Sequence, residues 1–144
     1  MKRFLIGILA FLCVISCGRA ISVLDRDFKL DSVLEVEGRQ GVATDGEYYY
    51  VSGSTALYKY DMKGNLITKN ETPFKDLALE CNHIGDIDEY NGELYAGCEY
   101  FLDGVGKNIQ TAIYDAVTLE YKRSITWVLE SGQVECCGLA VDRE

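Results

Sequence analysis

The chain has 144 residues, enough for one domain, and its 48% apolar and 26% charged composition excludes disorder. Ten Tyr and 14 Gly against a single Pro favour strands and turns. With 23 acidic and 14 basic residues the formal charge is −9, a surface that repels phosphate backbones, so nucleic acid is excluded as the expected partner.

The N-terminus opens on Met1-Lys2-Arg3, followed by an apolar run at residues 4–15. That run is short for about 30 Å of hydrocarbon, but it has the length of a signal-peptide core. Val14-Ile15-Ser16-Cys17 comes directly after it. Branched apolar residues, a small residue and then Cys resemble the bacterial lipobox. The resemblance implies that residues 1–16 are a lipoprotein signal peptide, that Cys17 carries the lipid, and that the rest lies in the cell envelope. There it would be anchored to a membrane and face outside the cytoplasm. Ordinary secretion with cleavage after Ala20 is the alternative, and it leads to the same space. Loss of Lys2 and Arg3 with the leader takes the formal charge from −9 to −11. Residues 17–38 then read as a tether, with an outer strand expected at Val33-Leu34-Glu35-Val36.

From residue 39 onward the chain repeats. Gly41-Val42-Ala43-Thr44-Asp45, Gly85-Asp86-Ile87-Asp88-Glu89 and Gly138-Leu139-Ala140-Val141-Asp142 are three similar openings. The first two run into Asp45-Gly46 and Asn91-Gly92, the strongest short hairpin signals, because a type I′ turn needs positive φ at both central residues. A Tyr-bearing strand follows each, Glu47-Tyr48-Tyr49-Tyr50-Val51 and Glu93-Leu94-Tyr95-Ala96. Third strands are predicted at 56–61 and 111–115, and fourth strands at 65–68 and 119–122. Gly41 to Gly85 spans 44 residues and Gly85 to Gly138 spans 53, the excess being an insertion within 99–108. That stretch reads as a long loop bearing Tyr100, Phe101 and Leu102, a lid or a partner contact.

Four antiparallel strands per repeat predict an all-β fold of about two and a quarter β-propeller blades, near 39–82, 83–134 and 135–144. The openings, Gly138 to Asp142 above all, resemble blades of the NHL and SMP-30/gluconolactonase type. Gln40-Gly41-Val42 and the Tyr-Asp turns resemble glutamine cyclotransferase propellers. A small antiparallel sheet or sandwich is the plainer alternative. Two blades and a strand do not close a ring, so a fragment of a longer propeller is expected.

Residues leading into each innermost strand would lie at the mouth of a propeller channel. Asp86 and Asp88 stand where the sister repeats carry Val42, Thr44, Leu139 and Val141, and period-2 geometry puts both on one face. Two carboxylates there need cations, donors or water. His83 beside Asp86 is the candidate catalytic pair, with His83 as general base. Asn82, Asp86 and Glu135 are candidate metal ligands, and oxygen donors of this kind suit Ca²⁺. The SMP-30 resemblance implies a divalent ion at such a mouth. The cyclotransferase resemblance implies no catalytic Glu, because the approach reads Asn82-His83-Ile84-Gly85 where that family has Gly-Glu-Gly. The other reading is structural, Asp86 bonding backbone amides of a neighbouring blade.

Of six Cys, Cys13 leaves with the leader and Cys17 is lipidated. In an oxidising space Cys81, Cys98, Cys136 and Cys137 have disulfide partners available. A bridge from Cys81 to Cys136 or Cys137 is favoured, with a vicinal 136–137 bridge as the alternative; Cys98 is expected to be a buried thiol. The Tyr cluster is expected to pack between blades. Together these readings give a membrane-anchored binding or scaffold module for an unknown protein or small-molecule ligand. The alternative is a metal-dependent hydrolase or lactonase, or a cyclotransferase-like enzyme.

Overall fold

The protein is described here by a computed structural model in which residues 29–143 are placed; residues 1–16, expected to be a leader, and Cys17, expected to be lipidated, lie outside the described residues. The chain divides into Met1–Val33 and Leu34–Glu144. In the first unit the described residues, 29–33, are exposed and form neither helix nor strand.

The second unit is all-β. Strands β1 (Gly41–Thr44), β2 (Tyr48–Gly53), β3 (Ala56–Asp61) and β4 (Leu66–Asn70) form one antiparallel sheet in chain order. Strands β5 (His83–Tyr90), β6 (Glu93–Leu102), β7 (Val105–Asp115) and β8 (Tyr121–Thr126) form a second of the same order. The sheets are open, and no α-helix occurs among the described residues; a single 3₁₀ turn occupies Leu129–Ser131.

The core lies between the two sheets. Direct pairing of Tyr50 with Lys59 and of Ser52 with Leu57 puts these four on one face of the first sheet. Pairing of Leu94 with Tyr114 and Ala96 with Ala112 defines the facing surface of the second. Tyr50, Leu57, Leu94, Ala96, Cys98, Ala112 and Tyr114 form one buried cluster. Removing each of the larger apolar side chains from water contributes about 1.5–3 kcal/mol. Polar ties register the two layers. Ser52 Oγ donates to Gly85 O at 2.9 Å, and Ile84 N donates to Ser54 O at 2.8 Å. Buried Lys59 donates from Nζ to Ala116 O at 2.9 Å, and its ammonium lies 3.9 Å from the centre of the Tyr48 ring. A carbonyl and a π face thus replace part of its hydration shell. The buried Tyr114 hydroxyl donates to Pro73 O at 2.9 Å. Of the Tyr cluster, Tyr50 and Tyr114 are thus buried between the two sheets.

The first strands of the two sheets, β1 and β5, lie side by side, so close that a Cβ at Gly41 would stand 2.5 Å from Asp86 Oδ1. The outermost strands carry charge on their open edges, Lys69 on β4 and Lys122 and Arg123 on β8, which discourages further strand addition. Arg123 grips Glu93 with both guanidinium nitrogens, at 2.6 and 2.7 Å. With Lys122 beside it, that fork holds the Glu93 carboxyl well below the usual carboxylate range.

Four expectations differ from the structure. The stretch 99–108 is no loop: β6 and β7 extend through it and turn at Asp103-Gly104, both with positive φ. Ladder hydrogen bonds satisfy a backbone that a loop would leave to water. Asn91-Gly92 forms a two-residue turn with both φ positive, but at Asp45-Gly46 only Gly46 has positive φ. There the Asp45 carboxylate accepts from Glu47 N and Tyr48 N, and this side-chain-capped turn widens the loop between Thr44 and its partner Tyr49. Residues 33–36 form no strand; the chain crosses the outer face of the first sheet instead, with Glu37 N donating to Tyr60 Oη at 2.9 Å. The third opening, 138–142, also forms no ladder, because its amides bond carboxylates rather than backbone carbonyls.

Candidate functional site

The candidate residues gather where β5 begins. The ladder between β5 and β6 breaks between Ile84 and Ile87, so Gly85 and Asp86 stand opposite Gly97 alone. This β-bulge re-aims the Asp86 side chain. Asp86 Oδ1 accepts from Ile87 N at 2.9 Å and Oδ2 from Leu139 N at 3.3 Å. Two residues on, Asp88 Oδ1 accepts from Glu89 N and Oδ2 from Val141 N, both at 2.8 Å. Each carboxylate thus serves as a stand-in strand edge for the segment 138–141. The alternation read in the sequence is real, and its chemistry here is acceptance from amides.

Asn82 is committed as well. Its Nδ2 donates to Phe101 O at 2.9 Å and its Oδ1 accepts from Phe101 N at 2.7 Å, locking the mouth of β5 to β6. Glu135 is exposed on the segment leading to Cys136. The candidate metal ligands Asn82, Asp86 and Glu135 therefore belong to three separate hydrogen-bonded settings. Among the described residues no group of three or more His, Cys, Asp or Glu is arranged to hold a metal ion.

His83 and Asp86, proposed as a catalytic pair, are not hydrogen-bonded to each other in the structure; the carboxylate beside His83 is Glu99. Glu99 sits opposite His83 in the ladder, and its Oε1 lies 3.1 Å from His83 Nδ1. The Glu99 side chain is 1% exposed and that of His83 22%. Glu99 Oε2 accepts from Cys136 N at 2.8 Å, and its backbone carbonyl accepts from Asn82 N at 3.0 Å. A donor at Nδ1 fixes the neutral imidazole in the tautomer whose Nε2 is the acceptor. The Phe101 ring lies 5.9 Å from the imidazole, centre to centre. A buried carboxylate thus orients a partly exposed imidazole, the geometry in which a general base is held.

Cys81, Cys98, Cys136 and Cys137 are free thiols, and the bridge expected from Cys81 to the 136–137 pair is not formed. Cys81 Sγ accepts instead from Gln110 Nε2 at 3.1 Å. Cys136 turns its sulfur onto Gly97, on the far face of the second sheet, where a Cβ would come within 2.5 Å of it. Burial pushes the Cys81 thiol up to about 11 and raises Cys98 and Cys136 as well. Cys137 alone of the four is exposed. Brief iodoacetamide treatment of the reduced native chain, followed by peptide mapping, is expected to label Cys137 and to spare the other three until denaturant is added. Equal labelling of Cys81 would contradict this burial.

No family model matches the chain, and no curated protein sequence matches it. Among solved structures it is similar to the crystal structure of the computationally designed Ika4 protein, at 11% identity and a TM-score of 0.36. That match covers 67% of this chain and 80% of the designed one, and at this score it carries no argument about fold or function.

Proposed function

We propose that the two sheets are successive blades of a β-propeller and that the protein is a lipid-anchored, extracytoplasmic binding or scaffold module. One observation carries the choice of a module over a metal-dependent enzyme. The carboxylates best placed for a channel-mouth ion, those of Asp86 and Asp88, accept from four backbone amides and dock the segment 138–141. Asn82 is likewise spent on the Phe101 backbone. Such side chains fix backbone segments in place, which suits a rigid platform. The propeller reading is supported by the matching strand order of the two sheets and by the adjacency of their innermost strands. The anchor rests on the lipobox-like Val14-Ile15-Ser16-Cys17.

The rival reading, an enzyme of the hydrolase kind, draws on the His83–Glu99 pair, which supplies a general base without any metal. One preparation tests the anchor and the metal-dependent form of the alternative. The full chain is expressed in a bacterium fed an alkyne palmitate, membranes are separated, and the purified protein is assayed for calcium and zinc. Label at Cys17, its loss in Cys17→Ser with release from the membrane, and metal below stoichiometry are the expected outcomes. An unlabelled soluble product sinks the anchor, and a stoichiometric metal sinks the module.

A further inference from the structure

The ladder between β7 and β8 stops at Gln110 opposite Thr126, whereas β7 runs on to Val105. Beyond that point the β7 backbone meets the following loop, with Trp127 N donating to Ile109 O at 3.1 Å and Gly106 N donating to Val134 O at 3.0 Å. Between the overhanging strand and the loop lies a groove of about 420 Å³. Leu79, Ile109, Trp127, Val128 and Leu129 form its apolar lining. Leu129 is 95% exposed and Val128 66%, side by side at the groove. Exposed apolar surface of this kind marks an interaction site.

Three acidic residues adjoin the groove lining along the backbone. Glu80, Glu130 and Glu135 are all exposed, and each is tied to the lining by its backbone. The Glu80 carbonyl accepts from Asn108 Nδ2, the Glu135 carbonyl accepts from Gln133 Nε2, and Glu130 sits between the lining residues Leu129 and Ser131. The cation in the lining, Lys107, folds onto the Tyr100 ring with its ammonium 4.6 Å from the ring centre. Three acidic residues thus adjoin lining residues along the chain, the single cation of the lining is engaged with an aromatic face, and the chain as a whole carries −9, which together favour a positively charged partner.

We propose that this groove docks a basic segment of a partner protein, in which Lys or Arg alternate with aliphatic residues. The aliphatic side chains would fill the space between Ile109 and Leu129, while the cations would meet Glu80, Glu130 and Glu135. Charge complementarity at the rim sets partner choice and encounter rate more than affinity. The inference rests on the reading of the protein as a binding module and names the chemistry of what it binds.

Trp127 is the single Trp of the chain and lines the groove, so its emission reports occupancy. The intact protein is titrated with a heptapeptide alternating lysine and valine, with the matching glutamate–valine peptide, and with phosphatidylcholine vesicles. A saturable change in Trp127 emission with the lysine peptide alone is expected, weakening as salt is raised. The triple variant Glu80→Gln, Glu130→Gln, Glu135→Gln, confined to exposed side chains, should bind about tenfold more weakly. Leu129→Ser should weaken binding without altering its salt dependence. Equal responses to the two peptides, a response to vesicles alone, or no saturable response overturns the proposal. None of these outcomes bears on Cys17 lipidation or on metal content, so the parent reading stands or falls separately.

Discussion

Replacing Glu99 with Ala is expected to cost about 3 kcal/mol of folding stability and to free the segment 134–141 from the second sheet. The carboxylate is 1% exposed and accepts from Cys136 N at 2.8 Å and from His83 Nδ1 at 3.1 Å. Truncation strands the buried Cys136 amide and leaves a cavity lined by polar atoms, two costs that add. Glu99→Gln keeps the shape and one acceptor oxygen, so about half of that loss is expected. Urea unfolding gives the magnitudes from the shift in midpoint at constant slope. Hydrogen exchange gives the location: the amides of Cys136, Leu139 and Val141 should exchange faster in Glu99→Ala, while the β2–β3 ladder keeps its protection. An unchanged midpoint would show that Glu99 is a passive neighbour of His83.

Glu99 lies within reach of the sequence, and the repeat conceals it. Counting outward from the Asn91-Gly92 turn places His83 opposite Tyr100, and the bulge at Gly85-Asp86 moves it by one to Glu99. The obstacle was the repeat itself. Aligning the second unit on the first requires an insertion, and Glu99 falls at its edge, where the alignment predicts a loop. The strands simply continued, because Tyr100 to Leu102 could pair with Lys107 to Val105 at the cost of one bulge. The order of the eight strands and the faces of Asp86 and Asp88 followed from turn chemistry and period 2 alone. What those carboxylates bond did not, since an alternation pattern fixes a face and says nothing of the amides opposite. The turn at Asp45-Gly46 shows the same limit: the dipeptide signals a reversal, but a single Asp side chain capping two amides selects the wider loop.

Gly85→Ala is expected to be the most damaging of the small-residue changes, at about 2–3 kcal/mol. A Cβ at this position would stand 2.2 Å from Cys136 O and 3.2 Å from the Cys137 α-carbon. Backbone rather than a pliable side chain fills the space, so either 136–137 or β5 must move. Gly97 and Gly106 meet the same segment, with a Cβ falling 2.5 Å from Cys136 Sγ and 2.3 Å from Val134 O. Three glycines of β5, β6 and β7 thus form the bed on which 134–137 lies. Gly138 belongs to the docked segment itself, yet a Cβ there has nothing within 4 Å, and its φ lies outside the left-handed region. Gly138→Ala should therefore stabilise slightly, by up to about 1 kcal/mol, through a stiffer unfolded chain. Opposite signs for two Gly→Ala changes separate docking from general tolerance of the sheet, and equal losses would count against a close-packed 134–137. The double variant Gly85→Ala, Glu99→Ala carries the argument further. If both substitutions act by undocking one segment, the second should cost much less in the presence of the first, and the shortfall in a double-mutant cycle measures what the docking contributes.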